Sequence, residues 1–232
     1  MKLVKPSIEF LWLTPDPLIT IEEAGRTCYK SEGNIHVGSA AKFVQKLLDR
    51  GHHAMIEHAS ASYRVTCDRG VTHEIVRHRL FSYGQESTRF CNYKSGVTFI
   101  IPPWTKHMPA ENAHTCTEDQ VRQSIHTPEC RWLFAIQVAE QEYIQLLDDG
   151  WTPQQARSVL PNSLKTEIIM TANLREWRHF FSLRCTPKSI PVEKKVNGIF
   201  YGAGAPHSQM QEIANMLLKD IRGKVPVLFD EF

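Results

Sequence analysis

The stretch RHRLFSYGQESTR, from Arg77 to Arg89, is the part of the sequence from which the rest can be interpreted. Its first triplet sets two guanidinium groups on either side of an imidazole, and burying an unpaired guanidinium is costly. Planar guanidinium forks suit phosphate oxygens, and the hydroxyl and amide side chains that follow can complete such a cradle. A solvated basic turn is the alternative for an arbitrary basic cluster. The cations, the flexible Gly84 and the hydroxyl-rich run together predict a local anion-binding site.

The bulk composition is that of an ordinary globular chain of enzyme size. The 232 residues are 42% hydrophobic and 22% charged, which allows a core without disulfide or metal support. A formal net charge of only +2 argues against a general nucleic-acid-binding protein, because such proteins need a basic excess. No run approaches the roughly 20 apolar residues of a membrane span, and the first residues lack the apolar region of a signal peptide. We therefore expect a cytoplasmic protein with no nucleic-acid or membrane partner.

The cysteines also favour a cytoplasmic protein. Six occur, at positions 28, 67, 91, 116, 130 and 185, and no pair has CxxC spacing. A zinc ribbon or a thioredoxin-type site is therefore not predicted. We expect free thiols in a reducing environment.

Hydrophobic periodicity predicts interspersed strands and helices. The polar, irregular stretch at 104–127 is predicted to be a surface excursion without a function. The predicted strands cover 7–13, 59–67, 97–101 and 164–172. The predicted helices run from Thr20 towards Tyr29, from Ser39 to Arg50, from the Asp68 cap through His78, from Pro128 to Asp149, over 153–161, from Asn173 to Arg184, and from Ser208 to Ile221. There is no regular βαβ rhythm and no GxGxxG after a strand, so a Rossmann domain is not supported. The pattern predicts one α+β domain over 1–232.

Two histidine-rich stretches raise the alternative of a metal hydrolase. Residues 51–58, GHHAMIEH, hold three histidines and one carboxylate, and imidazole and carboxylate groups bind zinc or iron. Residues 73–78, HEIVRH, resemble the HExxH motif, but the second histidine stands at i+5. That position lies about 140° around a helix from the first, so the two cannot share a metal on one face. We predict no metal site.

Four segments carry a resemblance to a known family. Arg77-His78-Arg79 followed by seven residues and Ser87 matches the RHR-x7-S signature of flavin-dependent thymidylate synthases (ThyX). GHHAMIEHASASYRVTC resembles the histidine loop and strand of that family, QQARSVLP its arginine helix, and TANLREWRHFFSLRC its flavin-proximal helix. The matches run in family order from about Ala24 to Gln211. The sequence is therefore identified as resembling a ThyX protein.

The resemblance implies a fold, an assembly and a reaction. The expected fold is α+β, with a mainly antiparallel sheet flanked by long helices. The expected assembly is a homotetramer that holds FAD in active sites at subunit interfaces. The implied reaction is the reductive methylation of dUMP to dTMP, in which methylenetetrahydrofolate gives the carbon and NADPH the electrons, without a cysteine nucleophile.

The resemblance also assigns roles to individual positions. Arg184 aligns with the arginine thought to polarise the uracil ring, and His52 falls where a histidine faces the flavin and folate. The flavin-binding positions are Ala54, Glu57, Arg77, His78, Arg79, Gln85, Asn173, Arg175 and His179. The dUMP-binding positions are Glu74, Arg77, Gln85, Glu86, Ser87, Thr88, Arg89, Arg157 and Arg184, with Arg157 on the nucleotide phosphate.

Three positions depart from the family pattern, and one stretch is longer than usual. Gly84 stands where Asn or Ser is usual, Ala54 replaces a Ser or Thr that often touches FAD, and Cys28 replaces a frequent Ser. The stretch from 185 to 206 is longer than in most members. These departures leave a second hypothesis open, namely a nucleotide-binding protein that has lost the flavin chemistry. A yellow chromophore in the purified protein would favour the enzyme.

Overall fold

The structure, a computed structural model, describes residues 1–105, 127–187, 191–196 and 198–232. Most of the stretch at 104–127, predicted to be a surface excursion, lies outside the described residues. The described helices are α1 (Pro17–Thr27), α2 (Ser39–Asp49), α3 (Arg69–Ile75), α4 (Pro128–Asp148), α5 (Pro153–Ala156), α6 (Leu174–Arg184), α7 (Ser208–Lys224) and α8 (Pro226–Phe229). The described strands are β1 (Lys2–Val4), β2 (Ser7–Leu13), β3 (Ser60–Asp68), β4 (Ser82–Gln85), β5 (Thr98–Ile100), β6 (Lys165–Asn173), β7 (Lys195–Val196) and β8 (Ile199–Phe200).

The described strands form three sheets. The largest has four strands in the order β2-β3-β6-β4. Strands β1 and β5 pair in parallel, with Leu3 opposite Phe99, and β7 and β8 pair antiparallel. Mixed helices and a mainly antiparallel sheet confirm the predicted α+β class. The placement of active sites at subunit interfaces stays a prediction.

The chain is divided into two compact units, each made of three separate stretches. The first unit contains Met1–Ser7, Thr66–Ile75 and Gln85–Ile168. The second unit contains Ile8–Val65, Val76–Gly84 and Ile169–Phe232. The single domain over 1–232 remains a prediction.

The core of the first unit collects apolar side chains from β1, β5 and α4. Phe99 and Tyr143 are fully buried there, as is Val97 just before β5. The carboxylate of Glu140, in the middle of α4, is buried as well and accepts a hydrogen bond from the backbone N–H of Val97 at 2.8 Å. The N-terminal amine of Met1 lies 2.9 Å from the same carboxylate. This buried charge is therefore compensated, as burial requires.

The core of the second unit is built around helix α6. Trp177 is fully buried, and its ring contacts those of Tyr63, Phe180 and Phe181 at centroid distances of 5.4–5.8 Å. The indole N–H donates to the carbonyl of Ala61 in β3 at 3.1 Å. Such aromatic pairs add to the stabilisation from area burial. They fix the rotation of α6 and thereby decide which of its faces is left for a site.

Several predicted boundaries are confirmed by the structure, and others are wrong. The backbone N–H of Val71 donates to the side chain of Asp68 at 2.7 Å, so the predicted cap exists. Thr20 does not begin a helix, because α1 already starts at Pro17, the first-turn position that proline favours. The helix after Asp68 ends at Ile75 and not at His78, and Val76, which follows it, is exposed.

Strand β4 was missing from the predicted elements, since its segment was interpreted only as part of an anion site.

No helix among the described residues has the length and apolar content needed to span a membrane.

Candidate functional site

The residues assigned from the resemblance fall into two groups, one in each unit. Within the first unit, the segment Gln85–Arg89 begins at the last residue of strand β4 and meets the short helix that contains Arg157. Within the second unit, assigned residues line a cavity beside helix α6. Each group is described by itself.

In the first unit, an arginine is bound to the hydroxyl-rich segment. Arg157 begins a 3₁₀ helix (Arg157–Val159) directly after α5. Its guanidinium donates to the hydroxyl of Thr88 at 2.8 Å, and Thr88 is buried. Arg89 is exposed, and its Nε donates to Gln154 at 2.9 Å. Arg157 thus binds the segment, and the segment's own Arg89 binds α5 just before Arg157, so two guanidinium groups lie where an anion cradle needs them.

Glu86 fixes the conformation of that segment. Its carboxylate accepts hydrogen bonds from the hydroxyl of Tyr93 at 2.7 Å and from Nζ of Lys165 at 3.2 Å. Its backbone N–H donates to the carbonyl of Glu167 at 2.9 Å. Burial and the hydrogen bond to Glu86 raise the pKa of Tyr93, so its phenol stays protonated and able to donate.

Lys165 keeps its charge in this arrangement. Burial disfavours the ammonium, but hydrogen bonds to Glu167, at 2.6 Å, and to Glu86 outweigh that effect and raise the pKa of Lys165. Gln85, next to this network, donates to the hydroxyls of Thr72 and Thr166 at 3.0 and 3.3 Å. Its side chain is thereby fixed within the unit. Glu74, which the resemblance also assigns to dUMP, lies in the last turn of α3 and is half-buried.

In the second unit, a cavity of about 720 Å³ opens along one face of α6. The volume lies within the usual range of sites for small molecules and cofactors. The described lining residues are His53, Glu57, Leu80, Asn173, Arg175, Glu176, Arg178, His179, Ser182, Glu231 and Phe232. Four of the positions that the resemblance assigns to the flavin are among them: Glu57, Asn173, Arg175 and His179.

The beginning of α6 orients the polar side of this cavity. Asn173 caps the helix, and its side-chain oxygen accepts from the backbone N–H of Glu176 at 2.9 Å. Arg175, two residues later, donates to the carboxylate of Glu57 at 2.5 Å. Glu176 itself is buried, and burial raises the pKa of its carboxyl group. The cavity therefore combines a helix N-terminus, charged groups and a carboxyl group with reduced acidity.

At the other end of α6, its last residue Arg184 contacts a second assigned residue, His78. The Nε of Arg184 donates to Nε2 of His78 at 3.0 Å. His78 is buried, with its ring 4.9 Å from that of Phe180 between centroids. Burial first, and then the positive charges of Arg184 and His179, lower the pKa of His78 to about 4. His78 is therefore neutral at physiological pH, and its unprotonated nitrogen orients the guanidinium.

The remaining assigned residues lie outside the described lining of the cavity. His52, Ala54, Arg77 and Arg79 are exposed. His53, adjacent to His52, is the histidine of the loop that lines the cavity. The loop forms a 3₁₀ helix over His53–His58, whose turn directs neighbouring side chains to different sides.

The resemblance named part of the cavity wall, including Arg175 and His179, and missed the rest. Arg175, His179 and Ser182 stand at helical spacing, and all three line the cavity. Arg178 lies three residues after Arg175, so the same spacing could have indicated it. No sequence signal connects Glu231 and Phe232 with this face. The described residues include no group of three histidine, cysteine, aspartate or glutamate side chains placed to hold a metal ion.

Comparison with known proteins places the chain in a family. A family model described as "Thymidylate synthase complementing protein" matches residues 9–227. The chain is 31% identical over 229 residues to the flavin-dependent thymidylate synthase of Geobacter sulfurreducens, covering 96% of this chain and 84% of that one. It is 35% identical over 169 residues to the enzyme of the same name from Mycobacterium tuberculosis, covering 72% and 66% of the two chains.

A solved structure has the same fold. The UMP/dUMP methylase PolB from Streptomyces cacaoi, bound with 5-Br dUMP, superposes with a TM-score of 0.76 at 23% identity, covering all of this chain and 96% of that one. Agreement in sequence over almost the whole chain, and in fold over all of it, confirms the resemblance found in the sequence. The chain therefore belongs to the family of flavin-dependent thymidylate synthase enzymes.

Proposed function

We propose that the protein converts dUMP to dTMP by reductive methylation. In the overall reaction dUMP, methylenetetrahydrofolate, NADPH and a proton give dTMP, tetrahydrofolate and NADP⁺. The methylene carbon of the folate forms a new bond to C5 of the uracil ring in place of hydrogen, and NADPH supplies the two electrons that the methylation needs. The observation that carries the proposal is the convergence of Glu57, Asn173, Arg175 and His179 on one cavity.

The cavity of the second unit fits a flavin. Its size suits a cofactor, and its wall offers guanidinium, amide, hydroxyl and imidazole groups to the polar parts of such a molecule. Asn173, Arg175 and His179 would hold the flavin from α6, and Glu57 would keep Arg175 in place. When bound, the flavin supplies the redox chemistry, and the protein supplies position and electrostatics.

The segment Gln85–Arg89 would hold dUMP. Arg157 and Arg89 offer charge-assisted hydrogen bonds to its phosphate, and Ser87 offers a hydroxyl. Arg184 of a neighbouring subunit would stand at a carbonyl of the pyrimidine, where a cation favours negative charge on the ring and so activates C5 for attack. Neutral His78 holds that guanidinium through its acceptor nitrogen.

A cysteine nucleophile has no part in this proposal. Of the five described cysteines, Cys67 and Cys185 are buried. Burial raises the pKa of Cys185 to about 12, and it also raises the pKa of Cys67. Thiols that stay protonated are poor nucleophiles. An arginine that activates the pyrimidine removes the need for covalent attack by the protein.

The proposed assembly is a homotetramer in the cytoplasm, with each active site shared between subunits. Arg77 and Arg79 are exposed and outside the described lining of the cavity in their own chain. That placement leaves both guanidiniums accessible to a ligand held by a neighbouring subunit. Light scattering after size-exclusion chromatography should give four times the 26.6 kDa chain mass, and a monomer would contradict shared sites.

The proposal is tested by following the flavin absorbance band under anaerobic conditions. Protein loaded with FAD is mixed with NADPH, with and without dUMP, and dTMP is then measured after methylenetetrahydrofolate is added. Bleaching of the band followed by dTMP formation is the expected result. Absence of flavin binding after addition of FAD would refute the proposal, as would flavin reduction without dTMP.

A further inference from the structure

The segment Pro226–Phe232, called the clamp segment below, is held by two arginines from two different helices. Arg178 of α6 donates to the backbone carbonyl of Leu228 and to the carboxylate of Glu231. Arg222 of α7 donates through Nε to the carbonyl of Phe229 at 3.2 Å, and through a terminal nitrogen to the carbonyl of Phe232. Phe229 is fully buried and packs on Phe181, with the ring centroids 5.6 Å apart. The clamp segment is thus anchored on both sides.

Arg178 and Glu231 are unequal partners in their ion pair. The side chain of Arg178 is 8% exposed and that of Glu231 is 56% exposed. Burial lowers the pKa of Arg178, and the charge of Glu231 opposes that change. The arginine is therefore fixed inside the wall, and the glutamate reaches it from the solvent side. Removal of the carboxylate would leave a buried guanidinium with less compensation, which is costly.

This ion pair forms part of the cavity that contains the assigned flavin positions. Arg178, Glu231 and Phe232 all line it, together with Asn173 and Arg175 from the same unit. The guanidinium carbon of Arg178 lies 5.3 Å from the centre of the Phe232 ring, within the range of a cation–π contact. The clamp segment therefore supplies a carboxylate and an aromatic ring to a wall whose other residues come from α6 and its Asn173 cap, from the loop at 53–58 and from Leu80.

We propose that Glu231 is a positioning residue for flavin binding. It holds Arg178 in the cavity wall and, with Phe232, closes the side of the cavity formed by the clamp segment. The inference rests on the proposed function, since it takes this cavity as the flavin site. Neither residue is among the positions that the family resemblance assigns to flavin or nucleotide.

Flavin affinity tests this role separately from turnover. The dissociation constant for FAD is measured on the full-length protein by quenching of flavin fluorescence, for the wild type and for Glu231→Ala, Glu231→Gln and Asp230→Asn. Glu231→Ala should weaken FAD binding about tenfold, which corresponds to one charge-assisted hydrogen bond. Glu231→Gln keeps an acceptor oxygen and should recover part of the affinity. Asp230→Asn, which changes the adjacent carboxylate outside the described lining of the cavity, should leave it unchanged.

The measured FAD affinities distinguish failure of the role of Glu231 from failure of the proposed function. An unchanged FAD affinity in Glu231→Ala would overturn the positioning role, even if thermal stability fell, because it would show that the contact serves folding alone. Tighter binding in both glutamate variants would also overturn it, since Glu231 would then compete with the ligand for Arg178. If Glu231→Ala failed to fold, the wild-type affinity of a folded Glu231→Gln variant would contradict the role. A wild-type protein without FAD affinity would refute the proposed function as well.

Discussion

Lowering the pH should destabilise the protein through His78. The folded-state pKa is about 4, and an unperturbed histidine has a pKa of about 6.5. Between these values the unfolded chain binds a proton that the folded chain does not, so stability falls as the pH drops through this window. Relative to neutral pH, this difference in pKa lowers the free energy of unfolding by about 2 kcal/mol at pH 5 and by about 3 kcal/mol once the pH is below 4.

The same protonation should disturb the position of Arg184. At neutral pH, Nε2 of His78 accepts from the Nε of Arg184 at 3.0 Å. An imidazolium has no acceptor nitrogen and carries a like charge, so the guanidinium must move away. We therefore expect dTMP formation to fall with stability as the pH decreases.

Urea unfolding at pH 7 and pH 5 provides the assay, at one fixed protein concentration because an oligomer's stability depends on concentration. His78→Gln keeps an acceptor oxygen but does not titrate, so its loss of unfolding free energy between the two pH values should be smaller than that of the wild type by about 2 kcal/mol. His73→Gln, which removes an exposed histidine, is the control. Equal losses in the wild type and His78→Gln would refute the reasoning.

Three further predictions concern single side chains. Arg184→Ala should lower dTMP formation by at least about 100-fold, as expected for a group that stabilises developing charge, and leave FAD bound; unchanged turnover in a steady-state assay would exclude the role in uracil polarisation. Ser87→Ala should weaken dUMP binding by several-fold in calorimetry, since one hydroxyl contributes about 1 kcal/mol, and equal affinity would mean that the cradle is misplaced. Tyr93→Phe removes the 2.7 Å hydrogen bond to Glu86 and should raise the KM for dUMP more than it changes kcat; a change in kcat alone would argue against a positioning role.

Local patterns predicted most of the elements, because their signals lie within a few residues. Asp68 and Asn173 each accept a backbone N–H three residues ahead, so both caps were visible in the sequence. Helix α2 likewise runs between the predicted Ser39 and the neighbourhood of Arg50. The predicted start at Thr20 is three residues late, because it leaves out Pro17, and a proline in the first turn favours a helix start.

Other features depend on contacts between distant parts of the chain, which periodicity does not reveal. The pairing of His78 with Arg184 joins residues 106 positions apart, and the resemblance named both residues without predicting their contact. The ion pair of Arg178 and Glu231 spans 53 positions and carried no signal at all. Strand β4 was missed because its hydroxyl and amide residues suggested a ligand loop, and its place beside β6 depends on tertiary pairing.

The length of α6 has a consequence of its own. Asn173 caps its beginning and Arg184 is its last residue, so a rigid rod about 16 Å long separates the two, at about 1.5 Å per residue. One residue inserted between them would turn everything that follows by about 100°, and Arg184 would leave His78 although every side chain was still present. The number of residues between Asn173 and Arg184 therefore matters to the site as much as the identity of the residues that line it.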